Sequence, residues 1–217
     1  MPMKDRLANL IAQAVRSAIQ PVPGDRVPLA VSARHVHLSR QDIDTLFGKG
    51  YELRSVRPLT QPEQYVTEDF VELQGKNGVL RLRVLGPARR ETQVEITRSE
   101  AMRLGIPTPP VRPSGRLEGS VGGLLRGPKG ATQLTKGVII ADRHLHMSAD
   151  EALFYGLKDG ERIRVFLEGD RPGTMENVTV RAGDGHKLDL HIDTDDANAF
   201  GVKQGDLVRF ERMSDSL

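Results

Sequence analysis

Four times along the chain a short run of alternating apolar and polar residues ends at Ser, Thr or Asp. Asp or Glu follows three residues later, and Gly comes eight or nine residues after the cap. The stretches are RHVHLSRQD (34–42), VEITRSE (94–100), RHLHMSADE (143–151) and LHIDTDD (190–196). Each predicts a strand, an N-cap, a short helix and a Gly stop, the first helix running from about Arg40 to Phe47. Further alternation predicts strands over Val27 to Ala33, Phe70 to Leu73, Val79 to Leu85, Gln93 to Ile96 and Val138 to Ala141, with Lys76-Asn77-Gly78 as a hairpin turn. Two related segments, 156–165 and 201–210, each read as Gly stop, tight turn and alternating strand. Tyr51 to Thr67, holding Pro58 and Pro62, reads as irregular, and Gly86 to Arg90 as a turn between strands. The stretch 106–137, crowded with Pro and Gly, reads as a long linker or active-site loop. Many short strands joined by single short helices predict a mainly β fold of β-barrels capped by short α-helices.

The N-terminus departs from this pattern. Leu7, Leu10, Ile11, Ala14, Val15, Ala18 and Ile19 recur at helical spacing, and Pro21-Val22-Pro23-Gly24-Asp25 then forms a stiff hinge. Residues 1–21 are thus expected to form an amphipathic helix that finds its apolar surface on its own barrel, a second subunit or a partner.

The repeated motif carries candidate chemistry. Two positions before the cap stand His37, Glu95, His146 and His191, and His35 and His144 lie a further two back. Because strand side chains alternate with period two, His35 and His37 face one side together, as do His144 and His146. Each pair is a two-pronged ligand. Five histidines and a carboxylate exceed what one tetrahedral zinc takes, so two metals fit the count better. Nitrogen donors with one oxygen and no thiolate suit Zn²⁺ ahead of Fe, Co, Ni or Mn. His191 alternates with Asp189 and Asp193 on the polar face of its strand, and His186, beside Gly185, reads as an exposed turn residue.

Composition narrows the partners. Aromatic residues make up 4% of the 217, Trp is absent and net charge is +2, so neither a base-stacking surface nor a basic tract for nucleic acid is expected. Cysteine is absent, which removes disulfides, thiolate ligands and a cysteine nucleophile. No apolar run reaches the roughly 18 residues of a membrane span. Arginine outnumbers lysine, 23 to 8, and its planar fork matches phosphate and carboxylate.

Together VSARHVHLS, RPLTQPEQ, LGPARRETQVEIT, the loop Ser114 to Ser120, ADRHLHMS and LHIDTDDANAFGV resemble the PduL-type phosphate propanoyltransferases, the phosphotransacylases of bacterial microcompartments. The resemblance runs from about Pro28 to Phe210. It implies two barrels, one from 27–34 plus 140–213 and the other from 35–125, overlapping the 106–137 stretch. It implies two Zn²⁺ per chain, with His35, His37 and Glu95 matching the ligands of one and His144, His146 and His191 those of the other. Arg89 matches a phosphate-binding arginine, and Arg57, Arg83, Leu85 and Asn198 align with coenzyme A contacts. Glu63 and Arg57 depart from the family pattern, which expects Gly and Lys there. The implied reaction joins acyl-CoA, propanoyl-CoA above all, and phosphate to give acyl phosphate and coenzyme A, by direct attack without an acyl-enzyme. Also implied are a homodimer, a place in the bacterial cytoplasm inside a microcompartment, as in propanediol degradation, and docking of the N-terminal helix on shell proteins. Two other readings of the HxH strands are a cupin-like oxygenase or isomerase and a non-catalytic zinc-stabilised compartment module. The first lacks the Glu that cupins place a few residues after HxH, since Leu38 to Gln41 supplies none.

Overall fold

The computed structural model describes residues 26–213; the amphipathic segment 1–21 lies outside them. Fourteen strands and four helices follow in chain order among the described residues: β1 (Arg26–Ser32), β2 (His35–Ser39), α1 (Arg40–Phe47), β3 (Ser55–Pro58), β4 (Tyr65–Gly75), β5 (Gly78–Arg89), β6 (Gln93–Glu95), α2 (Arg98–Leu104), β7 (Val111–Arg112), β8 (Val121–Arg126), β9 (Ala131–Ala141), β10 (His144–Met147), α3 (Ala149–Tyr155), β11 (Arg162–Leu167), β12 (Gly173–Ala182), β13 (Asp189–Asp193), α4 (Thr194–Phe200) and β14 (Leu207–Arg212). The described residues form a mainly β protein of two compact units, one from residues 26–31, 143–191 and 197–213, the other from 32–142 and 192–196.

In the first unit six strands close in the order β1-β13-β10-β12-β11-β14, with β14 antiparallel to β1. Alternation fills the interior with Val27, Leu29, Leu145, Met147, Ile163, Val165, Val178, Val180 and Leu190, all almost wholly buried. In the second unit the ring is β4-β5-β2-β6-β9-β8, closed by β8 on β4, with β3 and β7 added outside it. Its core joins Val36, Leu38, Leu73, Leu82, Val84 and Val94 to Ile43 and Leu46 from α1. Aliphatic side chains thus supply both interiors. In both units the HxH strand pairs parallel on one side and antiparallel on the other: β2 with β5 and β6, β10 with β12 and β13.

All four predicted helix starts and Gly stops are present. Ser39, Thr97 and Ser148 accept from the backbone three residues on, and the last two are capping boxes with Glu100 and Glu151. Asp193 caps α4 by accepting from the Asp196 N–H at 2.9 Å. Gly105 and Gly156 end their helices in the left-handed region, where a Cβ is unfavourable. These caps also anchor the HxH strand. The Ser39 N–H donates to Thr92 Oγ1 at 2.8 Å, the Thr92 hydroxyl donates to Asp42 Oδ2, and Thr132 Oγ1 donates to Asp42 Oδ1 at 2.9 Å. On the other flank Arg34 donates to the Arg81 carbonyl at 3.1 Å and to Glu100 at 2.7 Å.

Three expectations are corrected, the first being that Tyr51 to Thr67 is irregular: it holds β3 and the first residues of β4, paired antiparallel. The stretch 106–137 is not a continuous loop, because β7, β8 and most of β9 lie in it. Its glycines serve close approach: a Cβ on Gly122 would lie 2.2 Å from the Leu134 carbonyl, and one on Gly127 2.5 Å from that of Leu46. Likewise Gly86 to Arg89 continues β5 rather than turning. A register shift between His37 and Ser39 in the β2–β5 pairing accommodates it, and Pro87 lies where the ladder is irregular.

Replacing Thr92 by Val should leave the part-buried Ser39 N–H without its acceptor and remove one of the two hydroxyls that donate to Asp42 Oδ2, the other being that of Ser39. Equilibrium urea unfolding is expected to show a loss of about 1–3 kcal/mol, whereas a change below about 0.5 kcal/mol would show that the cap network does not hold the strand.

Candidate metal centres

Strand register completes each predicted ligand pair with a third donor. In the second unit His35 is the cross-strand partner of Glu95; in the first, His144 is the partner of His191. The valine or leucine between the histidines, Val36 or Leu145, points into its core and is fully buried, so both triads lie on the opposite face of their strands. The result is two groups whose donor atoms lie within 4.8 Å of one another: His35, His37 and Glu95, and His144, His146 and His191.

Both groups fit a metal ion. The His35 Nδ1–H donates to the Ala33 carbonyl at 2.8 Å, which leaves Nε2 as the ring nitrogen that faces Glu95, 3.4 Å from its Oε2. Two donors bound to one tetrahedral zinc at about 2.0–2.1 Å lie about 3.3–3.4 Å apart. His37 and His146 occupy equivalent places, and in each Nδ1 is buried without a hydrogen-bond partner. A buried, unpartnered imidazole nitrogen is costly unless something uses its lone pair. The His144 and His146 rings meet edge-on with centroids 4.6 Å apart, and His191 lies 5.0–5.1 Å from both.

The two groups differ in charge. Burial opposes charge on His35, yet the adjacent Glu95 carboxylate raises its pKa above the ordinary value. Burial would raise Glu95 too, but His35, then His37 and Arg89, hold it well below the usual carboxylate range. His37 falls well below the ordinary imidazole range, through burial first and then the charges of His35 and Arg89. His146 is pushed down to about 2 by burial, reinforced by His144 and His191. Neutral imidazole is the form that binds metal.

A profile of the family described as phosphate propanoyltransferase matches residues 28–203. The chain belongs to this family. A phosphate propanoyltransferase of Thermotoga maritima is 50% identical over 182 residues, covering 83% of this chain and 86% of that protein. One of Rhodobacter capsulatus is 44% identical over 208 residues, 95% of either chain, and one of Clostridioides difficile 38% identical over 205, 94% of this chain and 98% of that one.

Within this phosphate propanoyltransferase-family chain, Arg89 lies in electrostatic reach of His35, His37 and Glu95 and donates to Ser114 Oγ at 3.1 Å. Arg83 and Leu85 are the β5 register partners of His35 and His37 and so share the triad's face. Arg83 also donates to the Thr67 carbonyl at 2.7 Å and stacks on Phe70, 4.2 Å from the ring centroid. Arg57 is exposed on β3, opposite Val66, which in turn pairs with Leu85. Asn198 is exposed on α4, in the other unit.

Three residues were not legible as site residues. Gln93, almost wholly buried, donates to Glu95 Oε1 at 2.6 Å and to Ser114 Oγ at 2.8 Å, and accepts from the Gly115 N–H at 2.7 Å. It fixes one Glu95 oxygen and leaves the other facing His35. Its place two residues before Glu95 on an alternating strand was the available signal; Ser114 was marked only as the first residue of the Ser114 to Ser120 loop. His186 is corrected from an exposed turn residue: it is half-buried, and its ring lies tilted against His146 with centroids 4.5 Å apart.

His146 stays neutral in the metal-free fold down to about pH 2, while unfolded it titrates near 6.5. The unfolded chain therefore binds the extra proton between those values, and stability falls as pH falls through that window. For chelated protein the urea midpoint is expected to drop steadily from pH 7 to pH 4, and less steeply in His146→Gln. Equal slopes for the two proteins would exclude His146 as a source.

Proposed function

We propose that the chain is a phosphate acyltransferase that interconverts propanoyl-CoA plus phosphate with propanoyl phosphate plus coenzyme A, using two Zn²⁺, one in each triad. The observation that carries this reading is the duplicated, buried donor set with unpartnered imidazole nitrogens, in a chain 50% identical to a phosphate propanoyltransferase. Zinc bound there would supply Lewis acidity toward the thioester carbonyl and hold an oxyanion.

The chain's own groups do the rest. Arg89 presents a planar fork for phosphate beside the Glu95 triad, and Ser114 fixes one of its nitrogens. Holding phosphate and thioester together makes attack nearly intramolecular. A phosphate oxygen bonds to the carbonyl carbon, the carbon–sulfur bond breaks, and the thiolate leaves and takes up a proton. No cysteine is available as an acyl carrier, in keeping with direct transfer. Arg83 and Leu85, on the triad's face, and Arg57 and Asn198, exposed, are assigned to coenzyme A.

The reading is tested by phosphate-dependent release of coenzyme A from propanoyl-CoA. Chelation should abolish release and added zinc restore it; activity indifferent to chelation, with metal shown to be gone, would reject the metal role. Arg89→Lys should lose on the order of 10²-fold in kcat while keeping its metal, because a point charge replaces a two-pronged donor. Near wild-type turnover in that variant would remove Arg89 from the phosphate site.

A further inference from the structure

Asp189 begins β13 as the cross-strand partner of His146 and lies two residues before His191, so it shares the face of the His144–His146–His191 group. It is almost wholly buried, at 2% exposure. Its Oδ2 has no hydrogen-bond partner, and neither has the buried His191 Nε2, 3.3 Å away. A carboxylate does not stay in such a place without a positive or hydrogen-bearing neighbour, and His191 is the group it faces.

The repeat gives this contact a meaning. Register places Gln93 opposite His37 as it places Asp189 opposite His146. In the second unit the carboxylate stands at the third donor position, Glu95, with a neutral amide, Gln93, holding it from behind. In the first unit the third donor is the imidazole of His191, and the carboxylate stands behind it. The two positions have exchanged charge, so each centre keeps two histidines on its central strand and one carboxylate from the neighbouring strand.

We propose that Asp189 is the positioning carboxylate of the His144–His146–His191 centre. It receives the Nε2–H of His191, fixes the tautomer and tilt of that ring, and supplies the negative charge that Glu95 supplies in the other centre. Carboxylate–histidine–metal relays of this kind strengthen a ligand's basicity, and losing one costs about 10–100-fold in metal affinity. The inference rests on the two-metal reading of the proposed function.

The test is zinc titration of chelated full-length protein against a chromophoric chelator, with the visible spectrum of the cobalt-loaded protein as a second readout. Wild type is expected to bind two ions. Asp189→Ala should keep one at unchanged affinity and hold the other about 10–100-fold more weakly, with the cobalt bands of that site alone altered. Asp189→Asn, nearly the same shape and still able to accept a hydrogen bond, should fold as wild type and fall between the two. Two ions bound with wild-type affinities in both variants would overturn the role of Asp189 while leaving the two-metal reading standing. Equal weakening of both ions would also overturn it, because the effect would then be a general loss of structure. Wild type that binds no zinc would overturn the metal reading and this inference together.

Discussion

Strand register is the constraint on which the site depends. Sequence spacing alone places His35 beside His37 and His144 beside His146, but Glu95 and His191 reach them only because β6 and β13 pair antiparallel with those strands at one register. A slip of one residue would send Glu95 into the barrel interior and put Val94 in its place. The burial of Val36, Val94, Leu145 and Leu190 opposes that slip with several fully buried aliphatic side chains. Core packing and ligand placement are therefore the same event, read on two faces of one strand.

The short helices follow from this constraint. Each has its N-cap two residues past a donor, so the cap fixes where the donor strand stops. In the second unit the cap network reaches outward to Thr92 and Thr132, and Arg34 ties the start of β2 to the α2 capping box. A five-residue strand held at both ends has little freedom to slide. The cost is a set of buried imidazoles. Where Glu95 is present, its carboxylate favours a proton on His35, a charge that a metal bound there would supply instead. Where all three donors are histidine, burial keeps His146 neutral, which favours a cation over a proton at the same lone pair.

The parts of the structure legible in the sequence are those set by local chemistry. Period-two alternation and cap residues disclosed β2, β6, β10, β13 and all four helices, because Ser39, Thr97, Ser148 and Asp193 act on backbone a few residues away. The ends of the long strands were not legible. β4, β5 and β9 run past the expected limits because each pairs with different neighbours along its length, and those pairings are non-local. Gly122, Gly123 and Gly127 read as linker because close approach and flexibility call for the same residue. His186 read as exposed since nothing adjacent shows that its loop folds back onto His146.

The Pro-rich segment after α2 shows how a stretch with little regular structure still belongs to the site. Pro107, Pro109, Pro110 and Pro113 restrict the backbone before it folds, so less entropy is lost in fixing Ser114 and Gly115. Ser114 then bridges Arg89 and Gln93, and Gly115 donates its N–H to the Gln93 carbonyl. Through Gln93 this chain of bonds ends on Glu95. The arginine assigned to phosphate and the carboxylate assigned to metal are thus held by one stiff loop, so movement at either passes to the other through only two side chains, Ser114 and Gln93. Such an arrangement suits a reaction in which the nucleophile and the electrophile's oxygen must be fixed against one another, since an error of about 1 Å in either can cost on the order of 10²-fold in rate.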